Sequence, residues 1–166
     1  MKGPVKGSPS YRRTSPEKVI PYSERSNLAI WAVALFSTLK TQYLESEFRT
    51  DAAYQIGKLY MKRGDYATGR QAFQELLAAE PGNYLVDEAN LALAQCELSV
   101  GQTSEAFDRF SSLQESDKPE IRSESMFGCA ECLEKQNRSQ EAIRTLTSLM
   151  WDYPDQRDLV NKTLLK

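Results

Sequence analysis

A threefold internal repeat constrains this chain more than any other feature of its sequence. The stretch RGDYATGRQAF (63–73) is echoed by VGQTSEAFDRF (100–110) and again by QNRSQEAIRTL (136–146). Gly64 to Gly101 is a step of 37 residues and Gly101 to Asn137 one of 36, so the register is nearly constant. Apolar residues precede each turn: Ala53, Ile56, Gly57 and Tyr60, then Leu93, Ala94 and Cys96, then Met126, Cys129, Ala130 and Leu133. A second set follows each turn: Phe73, Leu76 and Leu77, then Phe110 and Leu113, then Leu146, Leu149 and Met150. Steps of three and four place each set on one face of a helix. Gly64, Gly101 and Asn137 tolerate the left-handed backbone that ends a helix, and Pro81, Pro119 and Pro154 are expected to stop the second helix of each unit. Periodicity at this length is the mark of a stacked array in which each unit buries its face on its neighbours.

The landmarks of each helix–turn–helix unit resemble the tetratricopeptide repeat. In the first unit Gly57 holds the small first-helix position and Tyr60 the aromatic one, with Phe73 and Pro81 further on; Gly69 stands where the family has Ala. The second unit matches at Ala94, Ala106 and Phe110, but Glu97 replaces the aromatic and Pro119 falls one place late. The third matches at Ala130, Ala142, Leu146 and Pro154, with Leu133 for the aromatic. A step of 36–37 exceeds the family's usual 34. In that respect the units are similar to the divergent repeats of bacterial envelope-assembly and cell-division coordinator proteins.

The resemblance implies an all-α, right-handed α-solenoid of helix–turn–helix repeats with flanking packing helices, about eight helices in all. Its expected layout is an arm over 1–25, then a repeat domain over 26–166. Within that domain fall a half unit at 28–47, full units at about 50–83, 87–120 and 123–156, and a closing helix at 156–166. The half unit follows from projecting Phe73 and Leu76 back by 37, onto Phe36 and Leu39. Leu159, Val160, Thr163 and Leu164 supply the apolar stripe of the closing helix. Trp31 and Trp151 are read as packing residues.

Two segments bear on location. The arm holds six basic residues (Lys2, Lys6, Arg12, Arg13, Lys18, Arg25) against Glu17 and Glu24, a net of +4, and four prolines, so it reads as a solvated basic tail. The run from Leu28 to Leu39 is apolar nearly all round, but twelve helical residues rise about 18 Å against the ~30 Å hydrocarbon core. Stable membrane insertion is therefore not expected, and a cytoplasmic protein is the first expectation, with a membrane-proximal envelope protein as the alternative.

Composition narrows the chemistry. The whole chain of 166 residues has no histidine, which removes Ser-His-Asp and Cys-His catalysis and the His-containing zinc sites. There is no glycine-rich phosphate loop. A net charge of −2 argues against a dedicated nucleic-acid binder, whose footprint is a strongly basic face. Cys96, Cys129 and Cys132 lie in apolar helical patterns and read as packing residues, because Cys129-x-x-Cys132 has no second pair or His to complete a zinc site. Acidic pairs such as Glu45 with Glu47, or Glu131 with Glu134, read as solvated helix charge. No catalytic residue, metal or cofactor is expected.

What remains is a protein or peptide partner. In a solenoid of this kind the first helix of each unit lines the concave face. The positions left for that groove are Tyr54, Lys58 and Met61, then Leu91, Gln95 and Leu98, then Phe127, Glu131 and Glu134. Tyr54, Leu91 and Phe127 are equivalent and are expected to form an apolar ladder. The family's two-carboxylate clamp needs Lys, Arg and Asn in this groove; only Lys58 is basic here, so that clamp is not expected. The expected ligand is an apolar or amphipathic segment with basic residues facing Glu131 and Glu134, held by a scaffold or adaptor that serves as a subunit of a larger assembly.

Overall fold

The computed structural model describes residues 33–35, 37–38 and 48–154. Six helices follow one another from residue 49 on: α1 (Arg49–Lys62), α2 (Tyr66–Ala79), α3 (Val86–Ser99), α4 (Thr103–Leu113), α5 (Pro119–Lys135) and α6 (Ser139–Asp152). No strand occurs among the described residues. The arm, Trp31, Phe36, Leu39, the Glu45–Glu47 pair and the expected helix at 156–166 lie outside them. The five described residues between 33 and 38 are helical.

The turns inside the units repeat one another. Gly64, Gly101 and Asn137 all have positive φ, at 77°, 87° and 61°. At each, the residue itself donates its N–H to the carbonyl three back and the next residue donates five back: Asp65 to Tyr60, Gln102 to Glu97, Arg138 to Leu133, at 2.8–3.0 Å. This is the Schellman closure, which satisfies the last carbonyls of the first helix and aims the chain back along it. A side chain also caps the second helix of the first unit, where Asp65 Oδ1 accepts from the Thr68 N–H at 3.1 Å.

The breaks between units differ from expectation at one place. Helix α2 ends at Ala79 before Pro81 and α6 at Asp152 before Pro154, but α4 ends at Leu113, well short of Pro119. Pro119 instead opens α5. A proline has no N–H to lose at the first helical position, and its fixed φ suits a helix start. Here α4 ends without it, and the joint is held by side chains. Ser116 donates to Asp87 Oδ2, Lys118 Nζ lies 2.8 Å from Glu88 Oε1, and Arg122 donates to the Ser116 carbonyl at 2.7 Å.

Packing follows the repeat. Phe73 and Phe110 are wholly buried, each over a glycine that makes room for it. A Cβ on Gly57 would sit 2.5 Å from the Phe73 ring, and one on Gly128 2.5 Å from the Phe110 ring. Gly57 thus lets α2 close on its own first helix, whereas Gly128 lets α4 close on the first helix of the next unit. In the second unit the position of Tyr60 and Leu133 is taken by Glu97, which is buried yet not unpaired. Arg109 donates to both its oxygens at 3.0 Å and to Asn90 Oδ1 at 2.9 Å. A buried carboxylate needs that full set of partners, and the pair replaces an aromatic contact with a polar one.

Each helix packs on its neighbours in sequence, and the further pairs in substantial contact are α1 with α3 and α3 with α5. The first helices therefore form one layer, the arrangement of an α-solenoid. Two expectations about apolar residues fail. Trp151 is 81% exposed and Met150 44%, because α6 has no described helix beyond it. Trp151 also occupies the outward position held by Ala78 and Glu115, both exposed, in the preceding units.

Candidate functional site

Three first helices converge on one open cleft of about 310 Å³. Its walls are Met61 from α1, Gln95, Leu98 and Ser99 from α3, and Glu124, Phe127, Gly128 and Glu131 from α5, with Tyr66 and Phe110 reaching in from the second layer. Five residues expected in the groove (Met61, Gln95, Leu98, Phe127 and Glu131) meet here. The lining holds two carboxylates and no Lys or Arg, so the cleft combines apolar surface with negative charge.

The remaining expected residues are placed differently. Tyr54 is half-buried, its ring 5.7 Å from that of Phe73 and tilted against it, with Lys58 Nζ 5.9 Å from the Tyr54 centroid. Burial raises the pKa of the Tyr54 hydroxyl, and the carboxylates of Glu88 on α3 and Glu124 on α5 raise it further. Leu91 is 6% exposed and Leu98 7%, and both belong to the core cluster with Phe110, Ile121 and Cys132. The continuous ladder of Tyr54, Leu91 and Phe127 is therefore corrected: its middle rung is core. Helix α3 has a first helix on either side, so its inner apolar residues are covered, while the rings of Tyr54 and Phe127 stay half-exposed. Leu98 still contributes an edge to the cleft. Glu134 is exposed and stands outside its lining.

Tyr66, Ser99, Glu124 and Gly128 line the cleft without having been expected there, and Phe110, expected only as a packing residue, also reaches it. Glu124 had a signal available, since it lies three residues before Phe127 and therefore on the same helix face. Ser99 likewise lies four residues after Gln95 on one helix, whereas Tyr66 opens the second helix and carried no such signal.

The thiols are not poised for chemistry. All three are buried and unpaired. Burial pushes the Cys132 thiol up to about 12, with Cys129 and Glu131 adding to the shift against Lys135. Burial likewise lifts Cys96 to about 11, Glu97 adding to it. Cys129 is raised by burial and partly restrained by Ser111 and Gln114, whose polar atoms lie 3.6 and 3.3 Å from its sulfur. Protonated thiols are poor nucleophiles and poor metal ligands. Among the described residues no three His, Cys, Asp or Glu side chains gather into a metal-binding group, and no helix is long and apolar enough to cross a membrane.

Two family models, each described as tetratricopeptide repeat, match residues 54–120 and 124–155. None of the curated proteins compared with the chain matches it. Two crystal structures of nearly identical TPR-like repeats, from a Podosopora anserina protein assigned as a kinesin light chain, are similar in fold. The first, a single-substitution variant, aligns with a TM-score of 0.60 at 18% identity over 85% of this chain and 71% of its own. The second aligns with a TM-score of 0.59 at 17% identity over 83% and 70%.

Proposed function

This chain is built of tetratricopeptide repeats, and from that premise we propose that it is a non-catalytic scaffold whose concave face holds a segment of another protein. Such repeats generally mediate protein–protein interaction. The observation that carries the reading is the cleft itself, where Met61, Leu98 and Phe127 offer apolar surface beside Glu124 and Glu131. A partner suited to it is an amphipathic or extended segment with apolar side chains flanked by Lys or Arg. The scaffold then serves as an adaptor or subunit of a larger assembly. The three unpaired thiols favour a reducing, cytoplasmic setting. The positive-φ residues Gly64, Gly101 and Asn137 repeat at steps of 37 and 36, which favours the divergent long-unit kind similar to bacterial envelope-assembly proteins.

Fluorescence anisotropy with a labelled amphipathic Leu/Lys peptide tests the reading. Phe127→Ala and Glu131→Lys are expected to weaken binding about tenfold or more each, the loss of one anchor or one charge contact. Helical content stays unchanged. Binding that ignores both substitutions would overturn the assignment of this face.

A further inference from the structure

A groove of about 370 Å³ lies between α4 and α6 on the outer side of the third unit, over α5. Phe107, Met126, Cys129 and Leu133 supply its apolar lining, and Arg144 and Thr145 stand on its α6 side. Thirty-six residues back, the places of Met126, Leu133 and Thr145 are held by Asn90, Glu97 and Arg109. There the Arg109 side chain crosses from α4 to α3, with its fork on both Glu97 oxygens and a further bond to Asn90. Thr145 is too short for that crossing, and its hydroxyl turns back to the Glu141 carbonyl at 3.0 Å. The third unit therefore keeps the groove and lacks the side chain that bridges it. The first unit shows the same pattern: Ala72 stands where Arg109 does, and a groove of about 330 Å³ opens over Ala53, Ile56 and Tyr60.

Lining and charge together select an occupant. Leu133 replaces the carboxylate of Glu97, so a buried cation would find no partner there and an apolar side chain fits instead. The rim is basic. Arg138 donates to both Glu141 oxygens, at 2.8 and 2.7 Å, and its Cζ lies 6.0 Å from the centre of the Phe107 ring. Arg144 also faces Glu141, so two guanidiniums stand against one carboxylate. In the first groove Gln71 takes the place of Arg144 and Glu75 that of Ser148, and its lining offers no cation.

We propose that the groove over α5 is a second partner site, which takes an extended segment of another protein through one bulky apolar side chain with an acidic residue beside it. The apolar side chain fills the gap left by Thr145, and the carboxylate meets Arg144. The volume is too small for a whole helix, about 10–12 Å across, and Gln114 and Ser148 on the rims give a peptide backbone polar groups to meet. The concave cleft carries the opposite sign, through Glu124 and Glu131, so the two faces select different segments. A scaffold with both sites joins two chains.

Fluorescence anisotropy with a labelled peptide of alternating Leu and Asp, added to the full chain, tests this, with the methyl signals of Met126 and Met61 reporting on the two faces. Binding is expected to shift Met126 and leave Met61 in place. Leu133→Glu with Thr145→Arg copies the middle unit's bridge into the third, and is expected to weaken binding about tenfold or more. Arg144→Glu alters an exposed residue and leaves the core untouched; it is expected to weaken binding by about as much, with the melting temperature unchanged. Equal affinity in the parent and Arg144→Glu would overturn the proposal, whatever the bridged variant does. So would a shift of Met61 in place of Met126. A Met126 signal that moves with the concentration of the chain alone would seat a second copy in the groove and overturn it as well.

Discussion

Removing the Glu97 carboxylate is the sharpest test of how the second unit is held. Glu97 is 3% exposed and stands where its neighbours carry Tyr60 and Leu133. Its two oxygens each accept from Arg109 at 3.0 Å. Taking away one partner of a buried pair costs about 3–5 kcal/mol, because the other charge is left without compensation. Arg109 keeps 30% of its side chain exposed and retains Asn90, so part of that cost is relieved by solvent. Glu97→Ala is therefore expected to lose about 2–3 kcal/mol in urea unfolding, or roughly 5–10 °C in Tm for a chain of this size. Glu97→Leu with Arg109→Leu removes both charges and puts at position 97 the Leu that the third unit carries at 133, and should return to within about 1 kcal/mol of the parent. A single variant within about 0.5 kcal/mol of the parent, or a double variant no more stable than the single, would show that the pair does not hold the second unit.

Other outcomes follow from the same packing. Gly128→Ala places a Cβ 2.5 Å from the Phe110 ring and is expected to cost about 1–3 kcal/mol by overpacking, measured by thermal melting. The buried thiols predict alkaline sensitivity. Their folded pKa values are raised above the usual 9.0, so their contribution is complete below pH 9 and is lost as pH climbs toward about 11 for Cys96 and about 12 for Cys132. Melting at pH 8 and pH 10.5 should accordingly show a smaller fall for Cys96→Ala/Cys132→Ala than for the parent. Deleting residues 1–25 is expected to leave Tm unchanged; a fall would show that the basic arm packs on the stack.

Much of the fold can be read from the sequence because the units report on one another. Gly64, Gly101 and Asn137 mark the left-handed turns at matching places, and Phe73 and Phe110 fill equivalent sites in the core. Pro119 is harder to read, since a proline both stops one helix and starts another, and only the position of α5 decides between them. The Glu97–Arg109 pair is invisible to periodicity, because its members stand on different helices and no short spacing joins them. Met61, Gln95, Leu98, Phe127 and Glu131 are found by counting along the repeat, and the cleft brings them together. Leu91 escapes that count because equivalent positions are not equally covered: a central helix has neighbours on both sides. Exposure depends on place in the stack, which a repeat pattern does not encode.

The proposed role requires the inner layer of first helices to receive a basic, amphipathic segment. Methyl NMR of the labelled chain during titration with such a peptide tests it most directly, with Met61 and Leu98 as reporters in the cleft. Shifts are expected at both residues and disappear when Glu124 and Glu131 are changed to Lys. Shifts confined to the outer helices α2, α4 and α6, or shifts that persist in the doubly reversed variant, would contradict it.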